Sequence, residues 1–227
     1  MANAPTQHVP ASDGLDQSPD RRRLRHDAKK QRIVSEAWAL AHEHGLAAIP
    51  LRDLATQVDL QQPSLYAYFD SKLAIYEAMY TQAIEALRDE YHAQIWPEDP
   101  DEALVAFVEC SIRFTTDDVI RHQLLFQRSI PGFKPPARAQ RALADVRQVG
   151  WERLQAVGVH DLATADIFTA IVSGLTNQQA FNDPKGDRWL SIARRTIEMY
   201  LVEVRRPPRL SSKRNNSTPA STTNKEQ

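Results

Sequence analysis

Between Gly45 and Lys72 the chain reads GLAAIPLRDLATQVDLQQPSLYAYFDSK, and side chains able to meet a polar partner crowd together there. Arg52, Gln62, Ser64, Tyr66, Tyr68 and Lys72 supply a guanidinium, an amide, three hydroxyls and an ammonium. Such groups suit phosphate oxygens and the acceptors on base edges in a DNA major groove. If Pro63–Phe69 is a helix, a step of about 100° per residue puts Leu65 and Phe69 on one inward face. Gln62 and Tyr66 then lie on one flank, Ser64 and Tyr68 on the other, and Pro63 and Ala67 point outward. Compact residues at the most protruding positions let a helix approach the floor of a groove.

Elements must hold these groups in place, and the apolar spacing supplies them. Ile33, Ala37 and Ala41 form an i, i+4 row with Val34 and Trp38 beside it, which predicts a helix over about 27–44 ended by Gly45. Leu51, Leu54, Ala55 and Val58 give a short second helix. Asp59-Leu60-Gln61 is the break, and Pro63 suits the first position of a third helix. Asp70-Ser71 closes that helix and caps a long fourth one, whose face of Leu73, Tyr76, Tyr80, Ala83, Ile84, Leu87 and Tyr91 runs on to Pro97. Two short helices behind a longer support form a helix-turn-helix unit. Further helices are expected at about 101–116, 118–129, 136–157, 161–182 and 187–204, with no alternating strand pattern anywhere. The fold class is therefore all-α with about nine helices. Residues 1–20 read as a disordered extension, 21–72 as the helix-turn-helix domain with a basic arm, 73–204 as a ligand-binding and dimerisation domain, and 205–227 as a disordered tail.

Charge supports that division. Residues 21–72 hold nine Lys/Arg against six Asp/Glu, whereas 73–204 hold 13 against 19. The basic excess is concentrated in Arg21, Arg22, Arg23, Arg25, Lys29, Lys30 and Arg32, read as a flexible arm that adds phosphate or minor-groove contacts. Lys72 sits in the first turn of a helix, where the macrodipole disfavours a cation unless an anion is bound beside it.

Other function classes lack support. One cysteine, Cys110, excludes an internal disulfide framework. His42-Glu43-His44 lacks the one-turn spacing that puts two imidazoles on one face for a metal. The seven glycines are scattered and form no phosphate-binding loop, and no nucleophile elbow occurs, so neither an enzyme nor a cofactor is expected. No apolar run suits a membrane span, and the polar start carries no targeting signal, so the chain reads as cytoplasmic.

The order helix, Gly, Leu-x-x-Leu-Ala, turn, x-Pro-Ser-Leu-Tyr-x-Tyr-Phe-x-Ser-Lys, long helix resembles the DNA-binding domain of TetR-type bacterial regulators over about residues 26–80. The resemblance implies that Arg52, Gln62, Pro63, Ser64 and Tyr66 face bases, while Tyr68 and Lys72 hold phosphates. It also implies a homodimer on double-stranded operator DNA, acting as a repressor that a small-molecule effector releases. Two positions depart from the pattern: Pro50 stands where the family often has Thr, and Asp59 replaces a turn glycine. Asp59 tolerates a left-handed backbone but brings a negative charge towards DNA. That charge, with the acidic body, favours the alternative of a helical ligand-binding or scaffold protein that has lost specific DNA binding.

In the body, Phe168, Ile171 and Leu175 lie on one expected helix, and Leu190, Ile197 and Leu201 on the last. The family pairs such helices across a dimer, so these six are the interface candidates. Trp96, Phe107, Cys110, Phe114, Phe126, Trp151 and Phe168, with Phe133, are the candidates for an apolar ligand pocket.

Overall fold

The protein is seen in a computed structural model that describes residues 19–127 and 130–206. The expected disordered ends lie outside these residues except at their inner limits. Pro19 and Asp20 are already helical, and Arg205 and Arg206 follow the last helix.

Among the described residues all regular structure is helical. Helix α1 spans Pro19–His44, eight residues longer at its start than the apolar row alone predicts. The extension has a chemical cause: arginine, lysine, leucine and alanine favour helix, Pro19 fits a first position and Asp20 suits the positive end of the dipole. Gly45 ends α1 at φ 85°, and its N–H donates to the Ala41 carbonyl at 2.9 Å. Ile33, Val34, Ala37, Leu40 and Ala41 form the buried face of α1.

After a 3-10 turn at Leu46–Ala48, helix α2 covers Leu51–Gln57. The next six residues to repeat, Gln62–Ala67, wind as a 3-10 helix rather than the expected α-helix. Helix α3, Lys72–Ala93, is capped by Ser71, whose hydroxyl accepts from the Ala74 N–H at 3.1 Å. It stops short of Pro97 because Gln94 has already turned to extended backbone at ψ 137°.

Helix α3 belongs to both halves of the molecule. Tyr76 and Met79 are buried near its start, and its phenol Tyr76 donates to the Leu46 carbonyl at 2.6 Å. Farther along, Ile84, Leu87 and Tyr91 are buried in the body, where α3 packs on α6. Helix α4 runs Pro100–Asp117, capped by Asp99, and α5 runs Val119–Phe126, capped by Asp118. Helix α5 was expected to reach 129, but Gln127 is extended at ψ 126°. Helix α6 is Gln140–Ala156 after a 3-10 turn at Ala137–Ala139, and α7 is Leu162–Asn182, capped by Asp161. Helix α8 begins late, at Ala193, and ends at Val204.

The connection from α7 to α8 is fastened by one amide. Gln179 is 1% exposed, and its Oε1 accepts from the Trp189 and Leu190 N–H groups at 2.8 and 2.9 Å. Its Nε2 donates to the carbonyls of Asp183 and Gly186. Both donors and both acceptor positions of the amide are used, as burial requires. Two polar contacts join the N-terminal helices to the body, and a third ties the start of α3 back to the 3-10 turn at Leu46–Ala48. Trp38 Nε1 donates to Gln82 Oε1 at 2.8 Å, His42 Nε2 meets Asp118 Oδ1 at 3.0 Å, and Lys72 Nζ lies 3.5 Å from the Ala47 carbonyl. No helix among the described residues is long and apolar enough to cross a membrane.

Candidate nucleic-acid interface

The 3-10 winding of Gln62–Ala67 changes which side chains face outward. At three residues per turn, positions i and i+3 eclipse, so Gln62, Leu65 and Tyr68 fall in line instead of spreading around a cylinder. Leu65 is buried at 2% exposure, while Tyr66 is 50% exposed. Gln62, Pro63, Ser64 and Ala67 are exposed, as the helical reading required. Tyr68 is not on an outer flank. It is half-buried, and its ring stacks on His26 of α1 with centroids 5.0 Å apart. Phe69, at 7% exposure, seals the core behind it.

Arg52 stands exposed at the start of α2, and its guanidinium has no hydrogen bond or ion pair among the described residues. The side chains of Gln62, Ser64 and Tyr66 are likewise uncommitted there. Their polar atoms are free for an incoming partner. Lys72 is half-buried in the first turn of α3, its ammonium 5.8 Å from the centre of the Tyr76 ring. It stands beside the free N–H groups that begin α3, a place where an anion is favoured.

The turn between α2 and the 3-10 helix holds two departures from expectation. Asp59 adopts φ 56°, the one non-glycine positive φ among the described residues, so a residue tolerant of that region is needed there. Its charge is not loose: Arg32 Nη1 meets Asp59 Oδ2 at 2.9 Å, and Arg32 Nη2 donates to the Gln57 carbonyl at 2.9 Å. Lys29 donates to the Val58 carbonyl at 2.5 Å. Lys29 and Arg32 therefore clamp the turn to α1 and are not arm residues. Lys30 lies over the Phe69 ring at 5.5 Å. Pro50 caps α2 with extended backbone and no side-chain hydrogen bond, so no hydroxyl is available at this cap.

The flexible arm is a helix. Arg21, Arg22, Arg23 and Arg25 are exposed on the first turns of α1, which project beyond the apolar row that anchors it. A helix distributes them around its circumference, so only part of the set can face any one surface.

A cavity of about 450 Å³ opens in the body. Phe107, Phe114, Phe126, Trp151 and Phe168 line it, as five of the pocket candidates. Trp96 and Cys110 do not. Trp96 packs on Tyr91 and Phe107 under the guanidinium of Arg153. Cys110 is 8% exposed with its thiol 3.9 Å from Glu90 Oε1, and burial pushes that thiol up to about 11. Phe133 packs against Tyr80 instead. The spacing of aromatic residues found the rings and missed the polar wall: Tyr91, Ser111, Thr115, His122, Thr176 and Asn177 also line the cavity. Their signal was too weak to see, since isolated hydroxyls within apolar helices look like ordinary core.

The dimer candidates need correction. Phe168, Leu175, Ile197 and Leu201 are 5, 6, 0 and 3% exposed, so they pack inside this protomer and cannot meet another. Leu190 is half-buried in the connection ahead of α8. Ile171 alone falls on the outer stripe of α7, with Ile167, Gly174, Gln178 and Phe181 at three- and four-residue spacing. On the last helix the outer stripe is Ile192, Arg195, Met199 and Val202. Met199 and Val202 are 66 and 72% exposed. A Cβ added at Gly174 would meet open space.

Among the described residues no group of His, Cys, Asp or Glu could hold a metal ion. The family model for bacterial regulatory proteins of the tetR family matches residues 33–79, the span from the core of α1 through the first turns of α3. A curated relative, the tetracycline repressor protein class G of Vibrio anguillarum, is 30% identical over 87 residues, which cover 38% of this chain and 40% of that repressor's length. Solved structures share the helical fold over about three quarters of the chain. A TetR family transcription regulator from Marinobacter aquaeolei superposes with a TM-score of 0.55 at 16% identity, over 78% of this chain and 97% of that one. A tetR-family transcriptional regulator from Streptomyces coelicolor gives 0.56 at 18% identity, over 78 and 82%. The regulator PfmR from Thermus thermophilus gives 0.53 at 23% identity, over 75 and 97%.

Proposed function

We propose that the chain is a TetR-type transcriptional regulator, a cytoplasmic homodimeric repressor that binds operator DNA through Gln62–Ala67 and is released by a small molecule in the body; the match of residues 33–79 to the tetR family model and the shared helical fold support this reading. The observation that carries the DNA reading is the set of uncommitted polar side chains on one exposed segment. Gln62, Ser64 and Tyr66, like Arg52 on α2, have no side-chain partner among the described residues, while Leu65 and Phe69 fasten the segment from behind. Arg52, Gln62, Pro63, Ser64 and Tyr66 meet bases; Lys72 holds a phosphate; Tyr68 supports the segment through its stack on His26 and offers its hydroxyl at the edge. Neutralisation of Asp59 by Arg32 removes the charge that favoured a chain unable to bind DNA.

The outer stripes of α7 and α8 pair with their copies across a two-fold axis. Two recognition segments then enter successive major grooves about 34 Å apart. The molecule acts by binding, with no catalytic step. A ligand shifts the balance between DNA-competent and incompetent spacings only by its differential affinity, typically about 1–3 kcal/mol. Helix α3 shares its buried face between both halves and carries that shift.

The test is fluorescence anisotropy at several salt concentrations with DNA chosen by selection from random sequence. Arg52→Ala/Tyr66→Ala should abolish sequence preference, and Lys72→Ala should weaken all sequences and lower the salt slope by about one. Selection that enriches no sequence at low salt would sink the proposal.

A further inference from the structure

The cavity's hydrogen-bonding polarity can be worked out atom by atom. Ser111 Oγ donates to the Phe107 carbonyl at 2.8 Å, so the contact between Tyr91 and Ser111 at 2.8 Å must have the phenol as donor. Thr115 donates to the Ser111 carbonyl at 2.9 Å and Thr176 to the Val172 carbonyl at 3.0 Å. The hydrogens of these four hydroxyls are thus committed within the protein, and lone pairs are what they still offer.

His122 completes the wall, and its tautomer follows from Asn177. The Asn177 amide nitrogen donates to the Ser173 carbonyl at 2.8 Å, which fixes Oδ1 as the atom 3.0 Å from His122 Nε2. Oδ1 can only accept, so Nε2 carries the hydrogen and Nδ1 is a bare acceptor. His122 is 2% exposed, and its Nδ1 is buried without a hydrogen-bond partner. Burial lowers the histidine's pKa, which favours the same neutral ring. Uncommitted donors around the cavity sit on half-buried or exposed residues: Asn177, Trp151, Ser173 and Arg147. No Asp or Glu lines it.

From this we propose that the cavity takes a neutral hydroxyarene, a phenol-class molecule that donates its O–H into the acceptor wall of His122, Thr115 and Thr176 while its ring lies among the phenylalanines and Trp151. A carboxylate would bring lone pairs against the acceptors of His122, Thr115 and Thr176, with its matching charge only at the exposed Arg147 on the rim. An ammonium would enter with no counter-charge. An aliphatic alcohol would leave the ring faces without matching stacking partners. The inference rests on the cavity being the effector site.

The experiment is calorimetric titration of the full-length protein with 2-naphthol, 2-methoxynaphthalene and 2-naphthoate. 2-Naphthol should bind at least about ten-fold more tightly than either analogue, in line with the asymmetric cost of leaving buried polar groups unpaired. Equal or tighter binding of the ether or the carboxylate overturns the proposal, as does the absence of naphthol binding. His122→Phe should bring the naphthol-to-ether ratio close to one; should that variant fail to fold, Thr115→Val/Thr176→Val reads the same ratio with the shape kept. A ratio unchanged in the folded variant also overturns it. If 2-naphthol binds with the expected preference yet leaves the operator complex intact, the effector role of the cavity fails and its ligand chemistry stands.

Discussion

Tyr66 and Tyr91 carry the same phenol and treat it in opposite ways. Tyr66 is 50% exposed and its hydroxyl has no partner among the described residues, whereas Tyr91 is 5% exposed and donates to Ser111. The contrast extends to their regions. Around Tyr66 the apolar residues Leu65 and Phe69 face in while Gln62 and Ser64 are exposed; around Tyr91 the hydroxyls of Ser111, Thr115 and Thr176 line a cavity and have given up their hydrogens. A surface that reads many partners keeps its donors unassigned. A cavity that selects one keeps them assigned and waits for what is missing.

Five changes would break or sharpen this contrast. The largest effect belongs to neither phenol but to the outer stripes of α7 and α8, the surface proposed to couple two copies. Met199→Glu/Val202→Glu should convert the dimer to a monomer in light scattering and lower operator affinity by at least about a hundred-fold, because the second recognition segment no longer binds as part of the same particle. Gln179→Leu comes next. It leaves the Trp189 and Leu190 N–H groups and the Gly186 carbonyl without their side-chain partner, while the Asp183 carbonyl keeps the Gly186 N–H, so unfolding free energy should fall by roughly 2 kcal/mol in denaturant titration. Sequence preference on DNA should be unaltered in that variant.

The direct comparison gives smaller numbers. Tyr91→Phe should cost about 1 kcal/mol of stability and leave DNA selection alone; Tyr66→Phe should do the reverse, with an unchanged melting curve and a relaxed base preference. If both variants lose stability equally, Tyr66 is a packing residue. The smallest effect is one of pH. The folded-state pKa of His122 is lowered by burial, so the unfolded chain binds more protons there. The associated stability is complete above the ordinary histidine value and is lost as pH falls from that value towards the lowered one. His122→Phe should flatten that part of the stability profile, as read by thermal melts between about pH 7.5 and 5.

The same contrast explains what could be read from the sequence. Leu65 and Phe69 gave away an inward face, and Gln62, Pro63, Ser64 and Tyr66 an outward one, because a short amphipathic segment shows both at local spacing. Tyr68 escaped the reading since 3-10 winding turns about 120° per residue, which swings it against His26, a residue far away in sequence. Arg32 and Lys29 looked like an arm because their partners at Gln57–Asp59 are equally remote. In the body, the apolar stripes of α7 and α8 were evident but their sense was not: Ile197 and Met199 are two residues apart, and only packing on α4 tells which one is inside. Cavity polarity was beyond reach for a related reason, since a threonine that bonds one turn back is identical in sequence to one that does not.

The anchoring of α1 has a consequence for motion. Helix α5 carries His122 on the cavity wall, and the carboxylate that caps this same helix, Asp118, holds His42 near the far end of α1. At about 1.5 Å per residue, Arg22 stands roughly 30 Å along the axis from His42. A tilt of about 5° at the anchored end of such a rod carries its tip about 2.6 Å, close to the length of a hydrogen bond. Under the proposed function, the arginine tip would work as the pointer of a gauge, magnifying a sub-ångström adjustment beside the cavity into the difference between touching a phosphate and missing it.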